Sequence, residues 1–145
     1  MKSKTLLYLL CLGIFFSCQT AQTAQTPTPT ATATAKKDVP FVTWEQKLID
    51  LGKVQKGEKR DMKFVFTNTS GEPIQIEILD ACECTTTDFP RGIIPPGGKG
   101  EIPATFNSES KEESETIAIN VYFKQNDEHG NPRIERVEYK FDLVK

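Results

Sequence analysis

The sequence predicts an all-β domain, an antiparallel β-sandwich of about seven strands, carried behind an export signal and a disordered linker. Three observations predict it. Apolar residues recur at every second position in several segments between 41 and 143. Clusters of Gly, Pro, Asn and Ser separate these segments at the spacing of sandwich strands, and no convincing helical period appears between them. A small closed barrel uses the same strands and is the alternative architecture.

Residues 1–17 read as a signal peptide. Lys2 and Lys4 precede an apolar run of 11 residues, Leu6 to Phe16, too short for a membrane-spanning helix, which needs roughly 20. Ser17 then places a small residue directly before Cys18, an arrangement that resembles the lipobox of bacterial lipoproteins, with Phe15 where Leu is usual. On this reading Cys18 is diacylated and becomes the first residue of the mature protein, and two acyl chains anchor it stably in a membrane. The competing reading makes Cys18 an ordinary apolar cysteine, with cleavage further along the Ala/Thr/Gln stretch. Gln19-Thr20 puts no Asp directly after the cysteine, where some bacteria read an inner-membrane retention signal. The expectation is therefore an outer-membrane lipoprotein facing the periplasm.

Residues 18–37 form the lipidated cysteine and its linker. From 19 to 37 the chain is almost wholly Thr, Ala, Gln and Pro, with no large side chain to bury. A flexible tether of that length has a mean reach of roughly 25 Å, stiffened locally at Pro27 and Pro29.

Residues 38–145 are the size of one domain. Removing Lys2 and Lys4 with the signal lowers the 18 basic residues to 16 against 20 acidic ones, a formal charge near −4. Lys and Glu are interleaved throughout, so no basic patch is available for nucleic acid. The acidic run from Glu109 to Glu115 lacks the alternating ligands and turn glycine of a calcium loop and reads as a solvated connection.

The strands follow in order. Phe41, Val42, Trp44, Ile49, Leu51 and Val54 supply one or two short opening strands, with Gly52 and Gly57 bracketing a turn. Met62, Phe64 and Phe66 define one face of the next strand. Asn68 closes it, where a side-chain amide can bond the turn backbone. Thr69 to Pro73 predicts a hairpin-like reversal into a strand that places Ile74, Ile76 and Ile78 on one face. Pro95-Pro96-Gly97-Gly98 precedes a strand carrying Ile102, Ala104 and Phe106. Ile117 to Phe123 and Val137 to Leu143 complete the set.

A nucleophile-and-base mechanism needs a base, and the only histidine, His129, lies in the Asn/Asp/Gly/Pro-rich turn between the last two strands. No two carboxylates stand out from the solvated alternation, and Gly97-Gly98 opens no helix that would cradle phosphate. The expectation is a non-catalytic binding or scaffolding module without cofactor, held at the membrane by Cys18 and reaching an envelope protein through its faces, loops or edge strands.

Several landmarks carry a resemblance. Asp50-Leu51-Gly52-Lys53-Val54 with Gly57, Phe64 to Thr69, Cys82-Glu83-Cys84-Thr85, Ile94-Pro95-Pro96-Gly97 and Ile102 to Phe106 resemble the bacterial "domain of unknown function 1573" family, from about residue 41 to 145. The resemblance implies an immunoglobulin-like domain, similar to those of the major sperm protein and cilia-associated class, in proteins often exported or lipid-anchored. It brings no catalytic activity. The family's Cys-Gly-Cys-Thr motif has Glu83 in place of its glycine here.

Cys82 and Cys84 are the remaining candidate site, as the thiols left once Cys11 departs with the signal and Cys18 is acylated. A continued strand would direct both to one face with Cα atoms about 6.6 Å apart, and a turn at Glu83 would bring them closer. Three readings stay open: two small buried hydrophobes, a disulfide formed in an oxidising compartment, or a two-thiolate site for a soft metal such as Cu(I) or Zn, and with them the alternative function of a copper-binding or redox protein that uses this pair. Zinc normally takes four ligands, and two sulfurs with His129 make three.

Overall fold

The computed structural model describes residues 39–144; the signal, Cys18 and the linker lie outside the described residues. Eight strands are present: β1 (Val42–Trp44), β2 (Leu48–Gln55), β3 (Lys59–Asn68), β4 (Ile76–Asp80), β5 (Thr85–Thr87), β6 (Lys99–Asn107), β7 (Glu115–Asn126) and β8 (Pro132–Val144). They form two four-stranded sheets, ordered β1-β3-β6-β5 and β2-β8-β7-β4, packed as an immunoglobulin-like sandwich. The first sheet is antiparallel throughout. In the second, β2 runs parallel to β8, a departure from the all-antiparallel expectation.

Alternation is what makes these segments strands, because one face of each sheet meets the other sheet and the opposite face meets water. β6 follows it without interruption from Gly100 to Phe106, and β8 from Val137 to Phe141. Aromatic rings join the layers. Phe66 of β3 meets Phe123 of β7 edge-on, with centroids 5.9 Å apart, and Phe106 of β6 lies 4.5 Å from Phe141 and 5.3 Å from Tyr139 of β8. Phe41 packs edge-on against Phe123 at 5.1 Å, closing one end of the core.

Three local expectations are corrected. Gly52 lies inside β2, not at a turn. Its φ of +64° and a register shift between Asp50 and Lys53 mark a bulge, where the Asp50 carboxylate accepts the Gly52 N–H at 2.9 Å. The segment 69–73 does not make a hairpin: β3 pairs with β1 and β6, whereas β4 pairs with β7, so the chain crosses from one sheet to the other. Asn68 organises that crossing, donating its amide to the Glu72 and Ile94 carbonyls at 2.7 and 3.0 Å while its Oδ1 accepts from Ser70.

The third correction is at Ile78. Ile74 and Ile76 are buried as expected, but a bulge between Ile76 and Ile78 inverts the parity, leaving Ile78 57% exposed and turning Leu79 toward the core. Ile78 thereby aligns on the outer face of the second sheet with Tyr122 of β7, which pairs in turn with Ile134 of β8, itself 51% exposed.

Candidate functional site

The two central cysteines sit where the chain leaves one sheet for the other. β4 is an edge of the second sheet and β5 an edge of the first. The link between them is a tight turn in which the Thr85 N–H donates to the Cys82 carbonyl at 2.9 Å. The Asn107 N–H bonds the Cys84 carbonyl and docks the turn on β6. The turn draws the Cys82 and Cys84 Cα atoms to 5.2 Å, shorter than a continued strand gives, and the sulfurs are joined as a disulfide. Both cysteines are half-buried, and Glu83 between them is exposed.

Thr85 and Tyr139 complete the arrangement. Thr85 is buried beneath the turn, with its hydroxyl 3.3 Å from Cys82 Sγ and 3.6 Å from Cys84 Sγ. Its other contact is the hydroxyl of Tyr139, a fully buried residue of β8 whose oxygen also lies 3.7 Å from Cys84 Sγ. Burial pushes the Tyr139 hydroxyl above its ordinary value of 10.0, and the Glu115 charge acts the same way, against a smaller lowering by the Thr85 hydrogen bond. The proton therefore stays on the phenol at neutral pH. Sequence reading missed both hydroxyls. The available signals were a threonine directly after Cys84, and one polar-tipped ring in the otherwise apolar sequence Val137, Tyr139, Phe141.

As a structural staple the disulfide is weak. Closing a loop of three residues removes only about 1.6 kcal/mol of unfolded-chain entropy, against about 3 kcal/mol for a 15-residue loop. In the oxidised form neither sulfur is a thiolate, so the pair as it stands offers no soft-metal ligands. Among the described residues, no group of three or more His, Cys, Asp or Glu is placed to hold a metal ion.

His129 lies far from this turn in the sequence and in the topology. It is exposed in the loop between β7 and β8, where Asp127 organises the backbone by accepting the N–H groups of His129 and Asn131, both at 2.8 Å. These bonds, that from Asn131 foremost, lower the Asp127 pKa. The acidic connection before β7 carries an exposed ion pair between Lys56 and Glu112 and a more buried one between Lys111 and Glu115 at 2.7 Å.

Residues 42–136 match the family described as "Protein of unknown function (DUF1573)". The chain belongs to that family. The matched span includes the whole Cys82–Thr85 turn and all strands but the last part of β8. No match was found among curated proteins. Among solved structures, an ASH/PapD-like domain of human CEP192 is similar with a TM-score of 0.55 at 11% identity, covering 74% of this chain and 87% of that one. A protein of unknown function from Porphyromonas gingivalis W83 gives 0.57 at 19% identity, over 70% of this chain and 46% of that one. The VesB protease of Vibrio cholerae gives 0.57 at 11% identity over 70% of this chain, which spans only 32% of the protease chain. At these identities the likeness shows the shared sandwich and nothing of chemistry.

Proposed function

We propose that this family member is a non-catalytic binding module of the bacterial cell envelope, tethered through acylated Cys18 to the periplasmic face of the outer membrane and docking an envelope protein on its second sheet. The observation that carries the reading is the cross-strand row Ile78–Tyr122–Ile134. Two large aliphatic side chains more than half exposed, with an aromatic between them, form an apolar strip on the solvent face. The next row, Asp80–Asn120–Arg136, is polar and gives the strip a rim, the usual anatomy of a contact patch. Lipid attachment rests on the Ser17-Cys18 arrangement and supplies the stand-off geometry through the linker.

The test joins the two halves. A photocrosslinking residue at position 122 in the full chain is expected to capture a reproducible envelope protein, and the double variant Ile78→Lys/Ile134→Lys to lose it while the thermal midpoint stays nearly unchanged. Metabolic labelling with a fatty-acid analogue is expected to mark the protein and to disappear in Cys18→Ser. Absence of a crosslink that depends on the apolar row would overturn docking on this face, and labelling that persists in Cys18→Ser would overturn the anchor.

A further inference from the structure

The disulfide turn has a chemistry that docking on the second sheet does not use. We propose that Cys82–Cys84 is an exchange-active disulfide that is reduced by a protein dithiol attacking Cys82, with Cys84 as the leaving thiolate.

Position comes first. The bond lies on a turn between two edge strands, with both cysteines half-buried, so a nucleophile can approach without opening the core. One residue separates the cysteines, so the bond constrains little chain and its removal is expected to leave the sandwich intact.

The hydroxyls then choose the sulfur. Tyr139 is wholly buried, and its oxygen has Thr85 Oγ1 and Cys84 Sγ as its side-chain partners. Two hydroxyls sharing one hydrogen bond have two protons and use one between them. If Tyr139 donates to Thr85, the Thr85 proton is directed at a sulfur; if Thr85 donates to Tyr139, the phenol proton is directed at Cys84 Sγ. In either arrangement a donor ends on the disulfide. Cys84 has both oxygens within reach, Cys82 only that of Thr85. Negative charge is therefore better held on Cys84, and a thiolate so stabilised leaves faster. Because burial keeps the phenol protonated, the donor survives at the alkaline pH at which attacking thiols ionise.

The step balances. A thiolate of the partner attacks Cys82 Sγ, the Cys82–Cys84 bond breaks, and a mixed disulfide forms while Cys84 departs as thiolate and takes a proton from solvent. The partner's second thiolate attacks its own sulfur in the mixed disulfide and releases Cys82, which is protonated in turn. Two electrons and two protons pass from the partner dithiol, which ends as a disulfide, to the two cysteines.

The test uses the processed full chain with dithiothreitol as the dithiol and glutathione as the trapping monothiol. Free cysteines are alkylated at timed intervals and located by peptide mass mapping, and Trp44 fluorescence reports the fold. Reduction is expected to run to completion in the folded protein. Glutathione is expected on Cys82. Either single substitution leaves the other hydroxyl's proton for a sulfur, so the donor is lost only in the double variant Thr85→Val/Tyr139→Phe, which is expected to slow reduction about tenfold. Thr85→Val alone, which leaves the phenol proton for Cys84, is expected to keep most of the wild-type rate; should the double variant not fold, the position of the glutathione decides. Reduction only at the rate of global unfolding would overturn the proposal, as would glutathione on Cys84, or a double variant reduced at the wild-type rate.

Discussion

A phenol hydroxyl in an apolar core must be given a partner, and for Tyr139 the sequence supplies it 54 positions upstream in Thr85. The pairing has a pH signature. The folded-state pKa of Tyr139 is raised above 10.0, so its contribution is fully present below pH 10 and is lost as the pH climbs through the folded value, where the unfolded chain sheds its proton and the folded one resists. The thermal midpoint of the wild type is expected to fall more steeply above about pH 10 than that of Tyr139→Phe, at the expense of about 1 kcal/mol of stability at neutral pH for the lost hydrogen bond. Parallel unfolding curves for the two proteins across that range would refute it. None of this was legible in the sequence beyond the place of Tyr139 on the core face. Alternation says which way a side chain points but not what meets its far end, and here that partner belongs to the opposite sheet.

Among the elements, those that could be read from alternation alone were read well, and the errors fall where the backbone breaks its period. β6, β7 and β8 hold strict alternation because each lies inside a sheet with partners on both sides. β4 is an edge strand, free on one side to take up an extra residue, and its bulge moved Ile78 to the outer face. β5 was missed altogether. Its three residues are threonines, and they form a strand only because β6 offers an unpaired side. The Cys-x-Cys spacing announced a site, but the choice among hydrophobes, disulfide and metal depended on the turn that closes at Thr85. Gly100 in β6 is a further feature fixed by the opposing layer. A Cβ there would fall inside the contact distance of the Phe66 ring and 3.0 Å from the Ile94 terminal methyl. Phe66 is fully buried, so any shift of its ring must displace core neighbours. Gly100→Ala is expected to cost about 1–3 kcal/mol through overpacking, measured by denaturant titration; an unchanged midpoint would mean that the Phe66 ring can move aside.

At the scale of the molecule, stability resides in the apolar layer between the sheets and not in the disulfide. Reducing the bond, or replacing both partners in Cys82→Ser/Cys84→Ser, is expected to lower unfolding free energy by about 1.6 kcal/mol with the native fold retained; loss of cooperative unfolding in the double variant would show that the bond holds the fold. The same layer explains why the fold class was legible, since two sheets with one wet face each impose alternation on nearly every strand. The exposed row Ile78–Tyr122–Ile134 was not legible, because a bulge in β4 moves Ile78 to the outer face. The parallel pairing of β2 with β8 carries a different kind of consequence. Leu48 finds its register opposite Glu138, and β8 lies between β2 and β7 inside the sheet. While the chain is made from its N-terminal end, β2 and β7 therefore lack the strand that joins them until β8 follows. β4 and β7 can pair without it, but the second sheet is complete only once residues 132–144 are in place. Closure of that sheet is therefore expected to be a late step of folding, set by the order of the strands and not by local preference.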